Sequence, residues 1–381
     1  VAINTGFSGN EIFCLAKKDM APGELVIGNS VCSMGFLGTI GSGLKTLTGG
    51  EVEQVTEVVH EGRRAALERM VAWSDLRGAI GISGVTSELI HHGGTTEFLS
   101  VGSAVHRKDY TSPSLEFTSS SNGQELYCQI DSGFKPLHFA FGNVAYSIGL
   151  GGGITGAFRS LAKGEIHEFS EIFNHTRKLA LQRIQKDALH YGANCVTGIR
   201  TSIIPFSGMQ EMVMVGTASR HDAYMSGYDS APATSDLTCE ETWNMVNLGY
   251  LPIRLVLGCS VCSVGFVGGI TAALKSLAKG EISEMTKLIY DARESALAHI
   301  QRDAAECNAD DVVGIKTYVY SLGSGIIEFL AIGTAVKKMP GVQTTSEYLM
   351  PQAVMHDKET FINVAETLRG QNLNDGNSTG S

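Results

Sequence analysis

A set of positions recurs three times at fixed spacing along the chain, and that repetition limits the fold more than any other feature. Pro22, Pro136 and Pro252 are separated by 114 and 116 residues. So are Gly28, Gly142 and Gly258; Glu51, Glu165 and Glu281; Arg63, Arg177 and Arg293; and Gly84, Gly198 and Gly314. Each register closes on a similar run: EFLSVGSAV (Glu97–Val105), EMVMVGTAS (Glu211–Ser219) and EFLAIGTAV (Glu328–Val336). Self-similarity at constant spacing means one structural unit copied in tandem. The expected division is three domains at 1–107, 122–220 and 237–338, linkers at 108–121 and 221–236, and a partly disordered tail at 339–381. The linkers are polar and rich in Ser, Thr and Pro, as in KDYTSPSLEFTSSSN (Lys108–Asn122).

Within a copy the elements follow from periodicity. An apolar segment before the proline reads as a strand (Glu11–Leu15, Glu125–Ile130, Glu241–Val246), and a second strand follows the proline, as in Ile253–Leu257. A glycine-rich turn and a short helix such as Ile270–Ala278 come next. The Gly-Glu step is expected to open a long helix. Its apolar stripe runs through Ile282, Met285, Ile289, Ala292, Ala296 and Ile300 in the third copy, and Ile166, Phe169, Phe173, Ala180 and Ile184 in the second. The helix is expected to end in a left-handed residue near Gly192 or Asn308. A hairpin follows, Asp311–Tyr320 with Ile326–Val336 in the third copy. The fold class is therefore α+β: three small two-layer domains, each an antiparallel sheet under one long and one short helix. Lys358–Leu368 reads as a short amphipathic helix in the tail.

Composition removes some classes of function. Net charge is −10 and no Lys/Arg stripe exists, so a nucleic-acid partner is not expected, because neutralising phosphates needs clustered positive charge. The eight cysteines are scattered rather than set in a dense framework and read as reduced and buried, which fits a cytoplasmic protein. The first residues, VAINTGFSGNEIF, lack the basic leader and apolar core of a secretion signal.

The run through a strand, GFVGGI, a short helix, a Gly-Glu step and a long helix carrying Arg and Ala resembles the YbjQ-like, or heavy-metal-binding, domain family. So do NADDVVGIKTY (Asn308–Tyr318) and IGTAV (Ile332–Val336). The third copy fits best. The second, GANCVTGIRTS (Gly192–Ser202), departs at Asn194, and the first, GAIGISGVTS (Gly78–Ser87), departs further. The resemblance implies a dodecin-like fold that assembles into five-fold rings, and it carries over no catalytic residues.

Several patterns resemble sites. Leu255–Leu274 is twenty uncharged residues, long enough for a membrane span, but its glycines and serines suit a buried strand and turn better. Gly151, Gly153 and Gly156 form G-x-G-x-x-G before a helix, yet the pattern is missing from the other copies. Cys259 and Cys262 form C-x-x-C, which could hold a soft transition metal such as zinc or copper. Two more ligands are needed, and residues three apart on a strand point to opposite faces, so a metal site would have to be completed across a ring. His167, Glu171 and His175 share one helical stripe and read as a solvated face, and His91 and His92 read as exposed turn residues. Arg63, Arg177 and Arg293 recur mid-helix. They could bind an anion in a ring lumen, but the expectation is salt bridges between neighbouring domains, with Glu97, Glu211 and Glu328 as partners.

The function these readings point to is a non-enzymatic homo-oligomer, a ring, stacked rings or a shell, with sequestering a ligand as a candidate role. The alternative is a heavy-metal or small-ligand protein with sites between domains, and the third reading is a membrane-associated assembly.

Overall fold

The computed structural model describes residues 3–33, 50–75, 77–92, 94–147, 164–165, 167–206, 209–263, 283–323, 326–349 and 361–362. The glycine-rich turns, the short helix expected at Ile270–Ala278 and the G-x-G-x-x-G run lie outside the described residues.

Each repeat opens on a short helix: α1 (Gly9–Ala16), and its counterparts Gly123–Asp131 and Cys239–Asn247. This corrects the expected strands at Glu11–Leu15, Glu125–Ile130 and Glu241–Val246. Short apolar runs are ambiguous by periodicity, and the decisive signal is the residue three places before each glutamate. Ser8, Asn122 and Thr238 accept from the backbone N–H of Glu11, Glu125 and Glu241, whose carboxylates accept from the backbone N–H of the capping residue in return. This reciprocal capping box nucleates a helix.

In chain order the remaining elements of the first repeat are β1 (Met20–Ser33), β2 (Gly50–Glu51), the long helix α2 (Glu53–Asp75), and the hairpin β3 (Gly81–His92) and β4 (Thr95–Arg107). Strand β5 (Phe117–Thr118) follows in the linker. The second repeat has α3 (Gly123–Asp131), β6 (Lys135–Ser147), β7 (Gly164–Glu165), α4 (His167–His190), β8 (Cys195–Phe206), β9 (Met209–Arg220) and linker strand β10 (Ala233–Thr234). The third has α5 (Cys239–Asn247), β11 (Tyr250–Ser263), α6 (Ser283–Glu306), β12 (Asp311–Gly323), β13 (Ile326–Lys338) and β14 (Phe361–Ile362). Strand β14 falls inside the Lys358–Leu368 segment expected to be helical, and pairs parallel to Thr317–Tyr318.

The strands form three sheets, ordered β1-β4-β3-β5, β10-β8-β9-β6-β2 and β14-β12-β13-β11-β7. The long strand and the hairpin pair antiparallel, with a bulge just after each repeated proline. Gly84, Gly198 and Gly314 lie at a second bulge with φ of +67°, +62° and +64°, which a side chain would strain. Gly28, Gly142 and Gly258 let the long helix touch the sheet, since a Cβ there would collide with the carbonyl oxygen of Ala66, Ala180 or Ala296. The long helices bury Val55, Val59, Ala66 and Met70; Phe173, Ala180 and Ile184; and Ala292, Ala296 and Ile300. Left-handed Gly192 and Asn308 follow the second and third of them, as expected.

The Gly-Glu step has a different role from the one expected. It precedes the helix, but as strand: β2 pairs with Ser147 and Tyr146 of β6, and β7 with Ser263 and Cys262 of β11. The first and second repeats thus each add a strand to the sheet of the next. No helix among the described residues is long and apolar enough to cross a membrane. The first part of the Leu255–Leu274 run is strand β11.

Candidate functional site

The junctions between repeats gather most of the repeated polar residues. In the first, α2 lies along β6. Thr56 Oγ1 accepts from Ala145 N at 2.9 Å, and Val52 N donates to Ala145 O at 2.8 Å. His60 packs at a tilt against Phe141 with ring centroids 4.7 Å apart, and its Nδ1 lies 3.1 Å from Asn143 Oδ1. One turn on, Arg63 reaches Glu211 on β9. Nη2 donates to Oε2 at 2.7 Å and Nε to Oε1 at 3.2 Å, while Nη1 donates to the carbonyl and hydroxyl of Ser87 at 3.0 Å. Both charged side chains are fully buried.

The second junction uses the same three helix positions. On α4, Ser170 Oγ accepts from Val261 N at 2.9 Å. The Asn174 side chain bridges the backbone of Cys259, accepting from its N and donating to its O, each at 2.9 Å. Arg177 Nη2 donates to Glu328 Oε1 at 2.7 Å and Oε2 at 2.9 Å. Its guanidinium sits 4.8 Å from the Tyr146 ring centre and 5.5 Å from that of Phe173. Burial opposes the Arg177 charge, but the Glu328 carboxylate together with Tyr146 and Cys259 more than offsets it and holds the guanidinium above its ordinary pKa. A planar donor fork with no exposed surface is suited to clamping one carboxylate in one orientation.

The remaining two members of the expected set are not brought together. Glu97 accepts from Asn29 Nδ2 at 2.9 Å and lies 2.7 Å from His92 Nε2. Those two contacts hold its carboxyl below the usual carboxylate range. Arg293 is exposed, its guanidinium 5.5 Å from the Phe329 ring centre, and makes no ion pair among the described residues.

Cys259 and Cys262 do not converge. Cys259 packs with Leu255, Leu257 and Val261 on one face of β11, and Cys262 packs with Ala292 and Phe329 on the other. No group of three His, Cys, Asp or Glu that could hold a metal ion exists among the described residues. The C-x-x-C pair therefore does not fit a zinc or copper site within one chain. His167, Glu171 and His175 are exposed on α4, and His91 and His92 are exposed at the end of β3.

Beside the first junction lies a cavity of about 480 Å³, lined by Arg64, Glu68, Leu115, His138, Asp187 and Tyr191 among others. His138 stacks on Tyr191 at 3.5 Å, and burial, with the nearby His190 and Arg64 charges, pushes its pKa down to about 4. Burial raises the Asp187 carboxyl. The sequence reading missed this cavity, because His138 matches Glu24 and Arg254 in the other copies and so carries no repeat signal.

The family described as "Putative heavy-metal-binding" (YbjQ) matches three times, at residues 19–108, 134–222 and 251–339. An encapsulin nanocompartment protein of Mycobacterium tuberculosis is 31% identical over 234 residues, covering 58% of this chain and 86% of that protein. A UPF0145 protein of Methanoregula boonei is 42% identical over 85 residues, 22% of this chain and 71% of its own length. One of Thermoplasma acidophilum is 36% identical over 99 residues, 24% and 83%.

Proposed function

Since the chain belongs to the YbjQ family and carries three tandem copies of its domain, we propose that it is a non-enzymatic, cytoplasmic building block that associates with copies of itself into a closed symmetric ring, stacked rings or a shell. Five-fold symmetry is the favoured order, and enclosing a ligand is the favoured use. One observation carries this reading: each of the first two long helices seats on the sheet of the repeat that follows, through a buried Arg–Glu pair and a shared strand. A unit that completes its neighbour is built for repetition, and repetition across chains gives a ring where its rotation closes. The similarity to an encapsulin nanocompartment protein supports the same reading. Size-exclusion chromatography with light scattering tests it. The expected mass is a multiple of 40.6 kDa, and a single 40.6 kDa chain at micromolar concentration would overturn it.

A small-ligand role has one observation in its favour, the cavity beside the first junction. Native mass spectrometry of the purified protein should then show a stoichiometric adduct that His138→Trp removes. A mass equal to the chain alone counts against it.

A further inference from the structure

The two junctions inside the chain define a donor face and an acceptor face, and among the described residues the first repeat leaves its acceptor face uncovered and the third its donor face. The donor face is a row on the long helix at i, i+4 and i+7: Thr56, His60 and Arg63 on α2, and Ser170, Asn174 and Arg177 on α4. The third copy carries the same row on α6 as Thr286, Tyr290 and Arg293. Thr56, Arg63, Ser170 and Arg177 are buried by the repeat that follows. Thr286 and Arg293 are exposed, and Tyr290 is 60% exposed, which is unusual for a large ring in a junction position.

The acceptor face is one row of the long strand together with the glutamate beside it. On β6 it is Phe139, Phe141, Asn143 and Ala145, with Glu211 opposite Ala145; on β11 it is Leu255, Leu257, Cys259 and Val261, with Glu328 opposite Val261. All of these residues are buried. The same row on β1 is Leu25, Ile27, Asn29 and Val31, with Glu97 opposite Val31. There Leu25, Ile27 and Val31 are 42%, 55% and 57% exposed. Strand β1 is also the edge of its sheet, whereas β6 and β11 each receive a strand from the repeat before. An exposed apolar edge strand is a template for pairing.

The start of the acceptor strand is already covered. In the later repeats the preceding linker packs on the start of the long strand: Thr118 accepts from Phe139 N and Thr234 from Leu255 N. In the first repeat the N-terminal residues take that place, with Leu25 N donating to Asn4 O and Gly6 N to Ser103 Oγ. Among the described residues, the positions of the helix and of the short strand before it are open.

We infer that the open face of β1 receives helix α6 of a second copy of this chain, so that Arg293 of one copy pairs with Glu97 of the next and Tyr290 covers Ile27 and Asn29. The charges are complementary, the apolar row meets an exposed ring, and the contact continues an interface that the chain already makes twice. It is a head-to-tail contact between different surfaces, which propagates from chain to chain. Glu97 exchanges exposed His92 for a guanidinium, as Glu211 and Glu328 already hold one.

This inference rests on the self-assembly reading and names its surface. The test measures the solution mass of the full chain and of Glu97→Arg, Arg293→Glu, Ile27→Asp and the double charge exchange Glu97→Arg/Arg293→Glu. All four change residues that are exposed or half-buried in the single chain, so the fold should persist, with far-UV circular dichroism unchanged. The wild type should run as a multiple of 40.6 kDa. Each single variant should dissociate, with the half-assembly concentration raised about 100-fold or more. The double variant should regain the assembly. If the single variants assemble like the wild type, or the double variant stays dissociated, the inference fails while self-assembly stands. If the wild type is itself a single chain, the self-assembly reading fails first and takes the inference with it.

Discussion

Ile27 and Phe141 occupy the same place in two copies of one domain, and their surroundings are opposite. Phe141 is buried under α2, and Ile27 faces solvent. Both rows alternate in the same way along an antiparallel strand, so the local pattern is not what separates them. The difference is what lies on the row: α2 of the preceding repeat runs along β6, and no helix among the described residues covers the Ile27 row of β1. Burial in this protein is therefore conferred by the preceding unit as much as by the strand's own sequence.

That comparison can be tested by breaking the covered faces and leaving the open one alone. The largest effect is expected at the second junction. Arg177→Met leaves the Glu328 carboxylate buried and unpaired, which should cost about 3–5 kcal/mol in urea unfolding. The double change Arg177→Met/Glu328→Leu should recover most of it, because the pair's own desolvation is removed with it. Phe141→Ala should cost about 3 kcal/mol by leaving a cavity under α2. Asn174→Ala should cost about 1–3 kcal/mol, since it strips both hydrogen bonds from the backbone of Cys259.

A pH effect should mark the first junction and not the second. His138 has a folded pKa of about 4 against an ordinary 6.5. The folded state binds fewer protons there, so its stability contribution is full above pH 6.5 and lost as pH falls toward 4. His138→Gln should flatten the stability profile in that window, read by thermal unfolding at several pH values. The smallest change is expected on the open face. Ile27→Ala, measured on dissociated chain, should alter stability by no more than about 0.5 kcal/mol.

Much of the domain was legible before any coordinates. The threefold spacing, the hairpins, the left-handed residues after the long helices and the family resemblance all rest on local signals that repeat. The short first helices are not fixed by periodicity, because an apolar run of that length fits either element; Ser8, Asn122 and Thr238 carry the capping signal that decides it. The Gly-Glu step was legible as a boundary but not as a strand, because its partner is a strand of the next repeat and no local pattern encodes that. The arginines and glutamates could be picked out by recurrence. That Arg63 meets Glu211 rather than Glu97 depends on the offset of one repeat against the next, which only the assembled chain fixes. The cavity at His138 escaped because it breaks the repeat rather than obeying it.

The most direct test of this account is a cryo-electron microscopy map of the purified particle, at a resolution that traces helices. The step relating one repeat to the next within a chain should recur across the chain boundary, with α6 of one copy lying along β1 of another. A map in which α6 and β1 both face solvent, in a particle held together elsewhere, would contradict it.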